Sequence, residues 1–193
     1  MNARIEVCMD NGKTHSFAPL TSEDLDHIVR EISSMRIVKQ ASLMFASSQY
    51  LAHLQPRAIE IIRCFLPQDA MKKPGAEDED IVEISKETLV DEYMQLPEAE
   101  KFSSRNKQPG EFMTTFLEIH TEGNVELFLR LHLKKKQAEE GRVFITHLFE
   151  QPFFRFRLAE GGFGMIVPAK ITCQYTYPGP GPDVLPENVF TVK

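Results

Sequence analysis

The chain has 193 residues, 42% of them hydrophobic and 26% charged. That is the profile of an ordinary globular protein large enough to bury a core without disulfides or metals. Its net charge of -6 disfavours nonspecific binding to DNA or RNA, whose phosphates attract positive surfaces.

Arg4 to Met9 and Lys13 to Phe17 flank Asp10-Asn11-Gly12, a hairpin-turn signal because Asn and Gly tolerate positive φ. Leu20-Thr21-Ser22-Glu23-Asp24-Leu25 reads as a helix start, with Thr21 as cap and Leu20 and Leu25 as a hydrophobic staple. Leu25, Ile28, Val29 and Ile32 continue it at helical spacing. This opening resembles that of phage tail-assembly chaperones, through helix-capping chemistry alone, and implies nothing further. A second helix is expected over Ile37 to Leu54, with Ile37, Ala41, Met44, Phe45, Ser48, Leu51 and Ala52 on one stripe. Pro56 breaks it and starts a third, faced by Ala58, Ile59, Ile62, Phe65 and Leu66 and ended by Pro67.

The run Glu77, Asp78, Glu79, Asp80 marks an exposed acidic loop. Ile81 to Ile84 fits a short strand, and Ser85 caps a fourth helix through Leu96. A polar linker covers 97–110. Beyond it, Val125, Leu127, Leu129, Leu131 and Leu133 alternate, which defines a strand with one apolar face. A three-residue loop at Glu122-Gly123-Asn124 would pair Ile119 with Leu127, Leu117 with Leu129 and Met113 with Leu133, keeping apolar residues on one face. Further strands are expected at Val143–Phe149, Phe153–Leu158 and about Met165–Tyr177, bent near Pro168. Gly161-Gly162-Phe163-Gly164 between them reads as a turn or bulge, because no helix start follows to make a phosphate cradle. The Pro/Gly-rich tail, 179–193, cannot continue a sheet.

The fold expectation is therefore α+β. An N-terminal β-hairpin and three to four helices precede a mainly antiparallel five-stranded sheet. The segments are 1–66 (hairpin and helices), 67–110 (acidic and polar connection with one helix), 111–178 (sheet of the same domain) and 179–193 (tail).

Candidate chemistry is sparse. Cys8, Cys64 and Cys173 are odd in number and far apart, so reduced thiols are expected rather than a disulfide framework or zinc knuckle. No signal-peptide pattern and no apolar run of membrane-spanning length stand out, which gives a cytosolic expectation. His120 falls on the polar face of the central hairpin with Glu118 and Glu126. Such a group can serve as an acid–base pair, but solvated sheet faces carry the same pairs for modest stability. Phe153, Phe154 and Phe156 interleave with Arg155 and Arg157. Rings and arginines would largely occupy opposite faces, unlike an RNA-binding sheet, which reads as a core strand with a solvated arginine face, or alternatively as Arg155 and Arg157 contacting an acidic protein. No phosphate loop, nucleophile elbow or metal-ligand spacing is present, so no cofactor or metal is expected.

The function expected is a non-enzymatic protein-interaction module, such as an adaptor, assembly factor or inhibitor, with Arg155, Arg157, Glu77, Asp78, Glu79 and Asp80 as partner contacts. Its partner would be another protein, with a homo-oligomer allowed and neither nucleic acid nor membrane involved. The alternatives are a small metal- or acid/base-dependent enzyme using His120, Glu118 and Glu126, or a ligand-binding cavity lined by Phe116, Phe128 and Phe156.

Overall fold

The structure is a computed structural model. It describes residues 3–18, 23, 27, 30, 43–46, 49–66, 80–97, 111–134 and 150–178. Mostly strand, it corrects the expectation of three to four helices before a five-stranded sheet. Nine strands form one mixed sheet in the order β11-β7-β8-β6-β9-β10-β5-β1-β2. They are β1 (Arg4–Met9), β2 (Thr14–Phe17), β5 (Ile59–Phe65), β6 (Asp80–Ile84), β7 (Phe112–Thr121), β8 (Glu126–Lys134), β9 (Phe154–Leu158), β10 (Gly162–Ile166) and β11 (Ile171–Tyr177). A separate hairpin joins β3 (Leu43–Ala46) to β4 (Leu51–Leu54). Among the described residues one complete α-helix is present, α1 (Lys86–Gln95), capped by Ser85 as expected. Glu23, His27 and Arg30 of the expected first helix are helical.

Where they are described, the second expected helix is the β3–β4 hairpin and the third is β5 after a 3₁₀ turn at Pro56–Ala58. In β3, Leu43 and Phe45 are buried while Met44 and Ala46 are exposed. The strand period is hidden because all four residues are apolar. β5 is buried on both faces. Such a strand reads as a continuous apolar run that periodicity cannot tell from a buried helix. Its β-branched Ile59, Ile61 and Ile62 favour the strand. The expected fifth strand is two strands, β10 and β11, separated by a 3₁₀ turn at Pro168–Lys170. Gly162 and Gly164 lie inside β10 rather than in a turn. A Cβ on Gly164 would run into the Phe156 ring, so glycine lets that ring lie flat on the strand. The Val143–Phe149 strand lies outside the described residues.

The hairpin expectations hold. Met113 pairs with Leu133, Leu117 with Leu129 and Ile119 with Leu127. The Thr121 N–H donates to the Val125 carbonyl, and Asn124 at φ 60° closes the three-residue loop. The first hairpin joins the main sheet through β1 and β5.

All strand pairs of the sheet are antiparallel except β6 with β9. That parallel contact has only two residue pairs, Val82–Arg157 and Glu83–Leu158. It joins two antiparallel halves, which fold face to face. Leu117, Ile119, Leu127, Leu129, Leu131 and Leu133 from one half share an interior cluster with Phe154, Phe156, Leu158, Ile166, Ile61 and Cys8 from the other. On the outer face of the second half, Leu43, Phe45 and Leu54 of the β3–β4 hairpin cover Ile5, Val7, Ile62 and Met165. On the outer face of the first half, Leu89 of α1 covers Phe116 and Phe128.

Side chains reinforce the short parallel joint. Arg157 donates from Nε and Nη2 to the two Asp80 oxygens at 2.6 and 2.7 Å. Arg63 on β5 reaches Glu83 on β6, with Nη2 at 2.6 Å from Oε1. Burial opposes the Arg63 charge, but the Glu83 bonds outweigh it and raise its pKa.

The opposite end is closed by Glu60, which has no exposed surface. Register shifts between Cys8 and Met9, making Glu60 the extra residue of a β-bulge in β5. Its carboxylate accepts from Thr121 Oγ1 at 2.7 Å and from the Gly123 N–H at 2.6 Å. Outside this clasp, Lys170 donates to Asp10 and Glu122 at 3.0 and 2.8 Å. Glu122 and then Asp10 hold its ammonium above the ordinary pKa.

Two kinds of stability prediction follow, the first from the Glu60 clasp. Glu60→Ala strands the Thr121 and Gly123 donors and is expected to lower unfolding free energy by about 3 kcal/mol in urea titration. Gly123→Ala would set a Cβ 2.6 Å from the Met9 carbonyl oxygen and 2.7 Å from Glu60 Oε2, at an expected cost of about 2 kcal/mol. The second concerns alkali. Burial pushes the Cys64 thiol from 9.0 up to about 12, against the opposing charge of Arg155. The unfolded thiol ionises first as pH rises, so the folded state binds the extra proton and loses stability between those values. The slope is at most about 1.4 kcal/mol per pH unit. Cys64→Ala should flatten the pH dependence of unfolding over that window relative to wild type.

Candidate functional site

Because β7 alternates, Phe116, Glu118 and His120 share the outer face opposite the leucine-lined interior. β11 adds a third row. Cys173 pairs with His120, Tyr175 with Glu118 and Tyr177 with Phe116. Glu126 faces His120 from β8. Six side chains thus gather on one open sheet surface: Glu118, His120, Glu126, Cys173, Tyr175 and Tyr177.

Glu118 is the hub of this surface. Its Oε1 lies 3.1 Å from His120 Nε2, and its Oε2 accepts from the Tyr177 hydroxyl at 3.1 Å. Glu126 Oε1 stands 3.9 Å from His120 Nδ1. Nε2 is thus hydrogen-bonded to a carboxylate, whereas Nδ1 has one nearby but beyond bonding distance. The Tyr175 ring meets the His120 ring edge-on at 5.9 Å between centroids. Hydrogen bonding to the Cys173 side chain, then its charge, raises the Tyr175 phenol above its ordinary pKa. Burial, followed by the bond to Glu118, does the same for Tyr177.

The sequence-derived trio of Glu118, His120 and Glu126 is thus brought together. Nε2 of His120 is engaged by Glu118, which leaves Nδ1, 3.9 Å from Glu126, as the ring nitrogen able to face another group. Among the described residues no three His, Cys, Asp or Glu side chains converge to hold a metal ion. Cys173, Tyr175 and Tyr177 were not anticipated as members of this surface. Their only sequence signal is alternation within the final strand, and the strand they face is about fifty positions away in sequence.

The other candidates are dispersed. Arg157 is bound to Asp80 within the sheet joint, so both serve the fold. Arg155 is exposed, with its guanidinium carbon 4.6 Å from the Phe163 ring centroid. Glu77, Asp78 and Glu79 lie outside the described residues. Phe116 and Phe128 pack beneath α1, whereas Phe156 belongs to the interior cluster, so the three do not line one cavity.

β11 forms one edge of the sheet. Between Lys170 and Pro178 it carries no charged residue and no proline. The other edge, β2, is shorter, and its Phe17 stacks on Phe45 with centroids 3.8 Å apart. Edge strands with unpaired backbone groups are templates for added strands unless blunted by charge, proline or cover.

No protein-family model, curated protein or solved structure matches the chain. Among the described residues no helix is long and apolar enough to cross a membrane.

Cys8 and Cys64 are buried and Cys173 is exposed. A thiol reagent under native conditions should therefore modify Cys173 rapidly and the other two only after denaturation, as read by intact mass. Rapid native labelling at Cys64 would contradict the packing of β5 against β10.

Proposed function

We propose that the chain is a non-enzymatic protein-interaction module that takes up a partner strand along β11. The observation that carries this reading is the edge of β11, unpaired among the described residues, whose residues from Cys173 to Tyr177 are uncharged and bounded by a register irregularity and by Pro178. Backbone hydrogen bonds to an added strand would supply affinity. The exposed side chains of Cys173 and Tyr175 would add contact area without being required for it. The open setting of His120 favours this role over acid–base catalysis, which gains from enclosure.

The test is native mass spectrometry of the full chain purified from its own host. A stoichiometric protein companion or a defined oligomer is expected on wild type, retained by His120→Ala and lost by Gln174→Pro. A bound metal or small molecule on a monomer, or complexes indifferent to Gln174→Pro, would overturn the reading.

A further inference from the structure

The hydrogen-bond phase of β11 fixes which of its backbone groups face outward. Thr121 N–H points to β8, since it donates to Val125. Its neighbours point the other way: Glu122 N–H donates to the Lys170 carbonyl, and the His120 carbonyl accepts from the Thr172 hydroxyl. Backbone direction alternates along an antiparallel strand. His120, Glu118 and Phe116 therefore bond β11 through their partners Cys173, Tyr175 and Tyr177. Gln174 and Thr176 aim their N–H and C=O groups at the open edge.

The regular part of that edge is symmetric. The register irregularity lies between Ile171 and Cys173. Pro178, which has no N–H, ends the ladder at the other side. The five residues between these limits centre on Tyr175, and the outward residues Gln174 and Thr176 flank it equally. An antiparallel strand related by a two-fold axis at Tyr175 would set Gln174 opposite Thr176 of the other strand, and Thr176 opposite its Gln174. All outward groups of this window would then be bonded.

We infer that the strand received by β11 is β11 of a second copy of this chain, with the two-fold axis at Tyr175. The inference rests on the interaction-module reading and names its partner. Two copies each carry a net charge of -6 and repel in general. The Cys173–Tyr177 window brings no charge to the axis, where like charges would face each other directly. Tyr175 is 50% exposed despite its large ring. At the axis it would pair with its own counterpart in the close, non-hydrogen-bonded position, where aromatic cross-strand pairs are favourable. An unrelated peptide would use the same backbone groups, but nothing in the window selects its sequence.

The experiment is sedimentation velocity on the full chain over a concentration series. Wild type is expected to shift from monomer to dimer with rising concentration. Gln174→Pro removes only an outward N–H, a position where edge strands tolerate proline. Tyr175→Lys places like charges on the axis while altering an exposed side chain. Each should reduce the association constant at least tenfold with the circular dichroism spectrum unchanged. In a Cys173→Ser background, Tyr175→Cys should form an intermolecular disulfide on mild oxidation, because facing Cα atoms about 4.5 Å apart suit that bond. Thr176→Cys in the same background should not. A wild type that stays monomeric, or variants that dimerise as tightly as wild type, would overturn the inference. Should wild type be monomeric while Gln174→Pro still loses a host companion, the second-copy inference fails and the module reading stands. If neither happens, both fail.

Discussion

Removing a carboxylate from water costs several kcal/mol unless its oxygens are bonded in return. Glu60 meets that condition with a hydroxyl from the end of β7 and an amide from the β7–β8 turn. These donors belong to the other half of the sheet, so the carboxylate is satisfied only when the halves have closed on each other. The leucine-lined interior depends on the same closure. Left open, the faces of β7 and β8 would meet water instead of the phenylalanines of β9. Apolar burial supplies the drive, and the carboxylate sets where the turn must come to rest. Gly123 permits that approach, since any side chain there would displace the oxygens around it.

Folding a nine-stranded sheet over itself leaves it with two unlike edges. β2 is short and carries Phe17 against Phe45 of the second hairpin. β11 is longer and ends in a surface where carboxylates, an imidazole, phenols and a thiol stand side by side. The polar members of that surface satisfy one another, as Glu118 does between His120 and Tyr177.

What the sequence disclosed depends on how local each determinant is. The pairing of β7 with β8 was legible because five aliphatic residues alternate and the turn lies between the strands. α1 was legible from its cap at Ser85. β3 and β5 read as helices in the sequence because their apolar runs show no clean period of two. The inward turn of Glu60 follows from a bulge that no pattern of residue types announces. Within the candidate surface, Glu118, His120 and Glu126 could be placed because one hairpin contains them. Cys173, Tyr175 and Tyr177 could not, because the pairing of β11 with β7 spans the intervening strands. Arg157 was read as a docking residue, yet the return of β9 beside β6 gives it to Asp80.

The order of strands has one more consequence, for synthesis. β5 lies between β1, made shortly before it, and β10, made about a hundred residues later. Until β10 leaves the ribosome, the isoleucine-rich β5 has one bare side. Contacts so distant in sequence form slowly and leave apolar edges open to wrong partners in the meantime. The nascent chain is therefore most exposed to aggregation during the interval in which its C-terminal third is still being made.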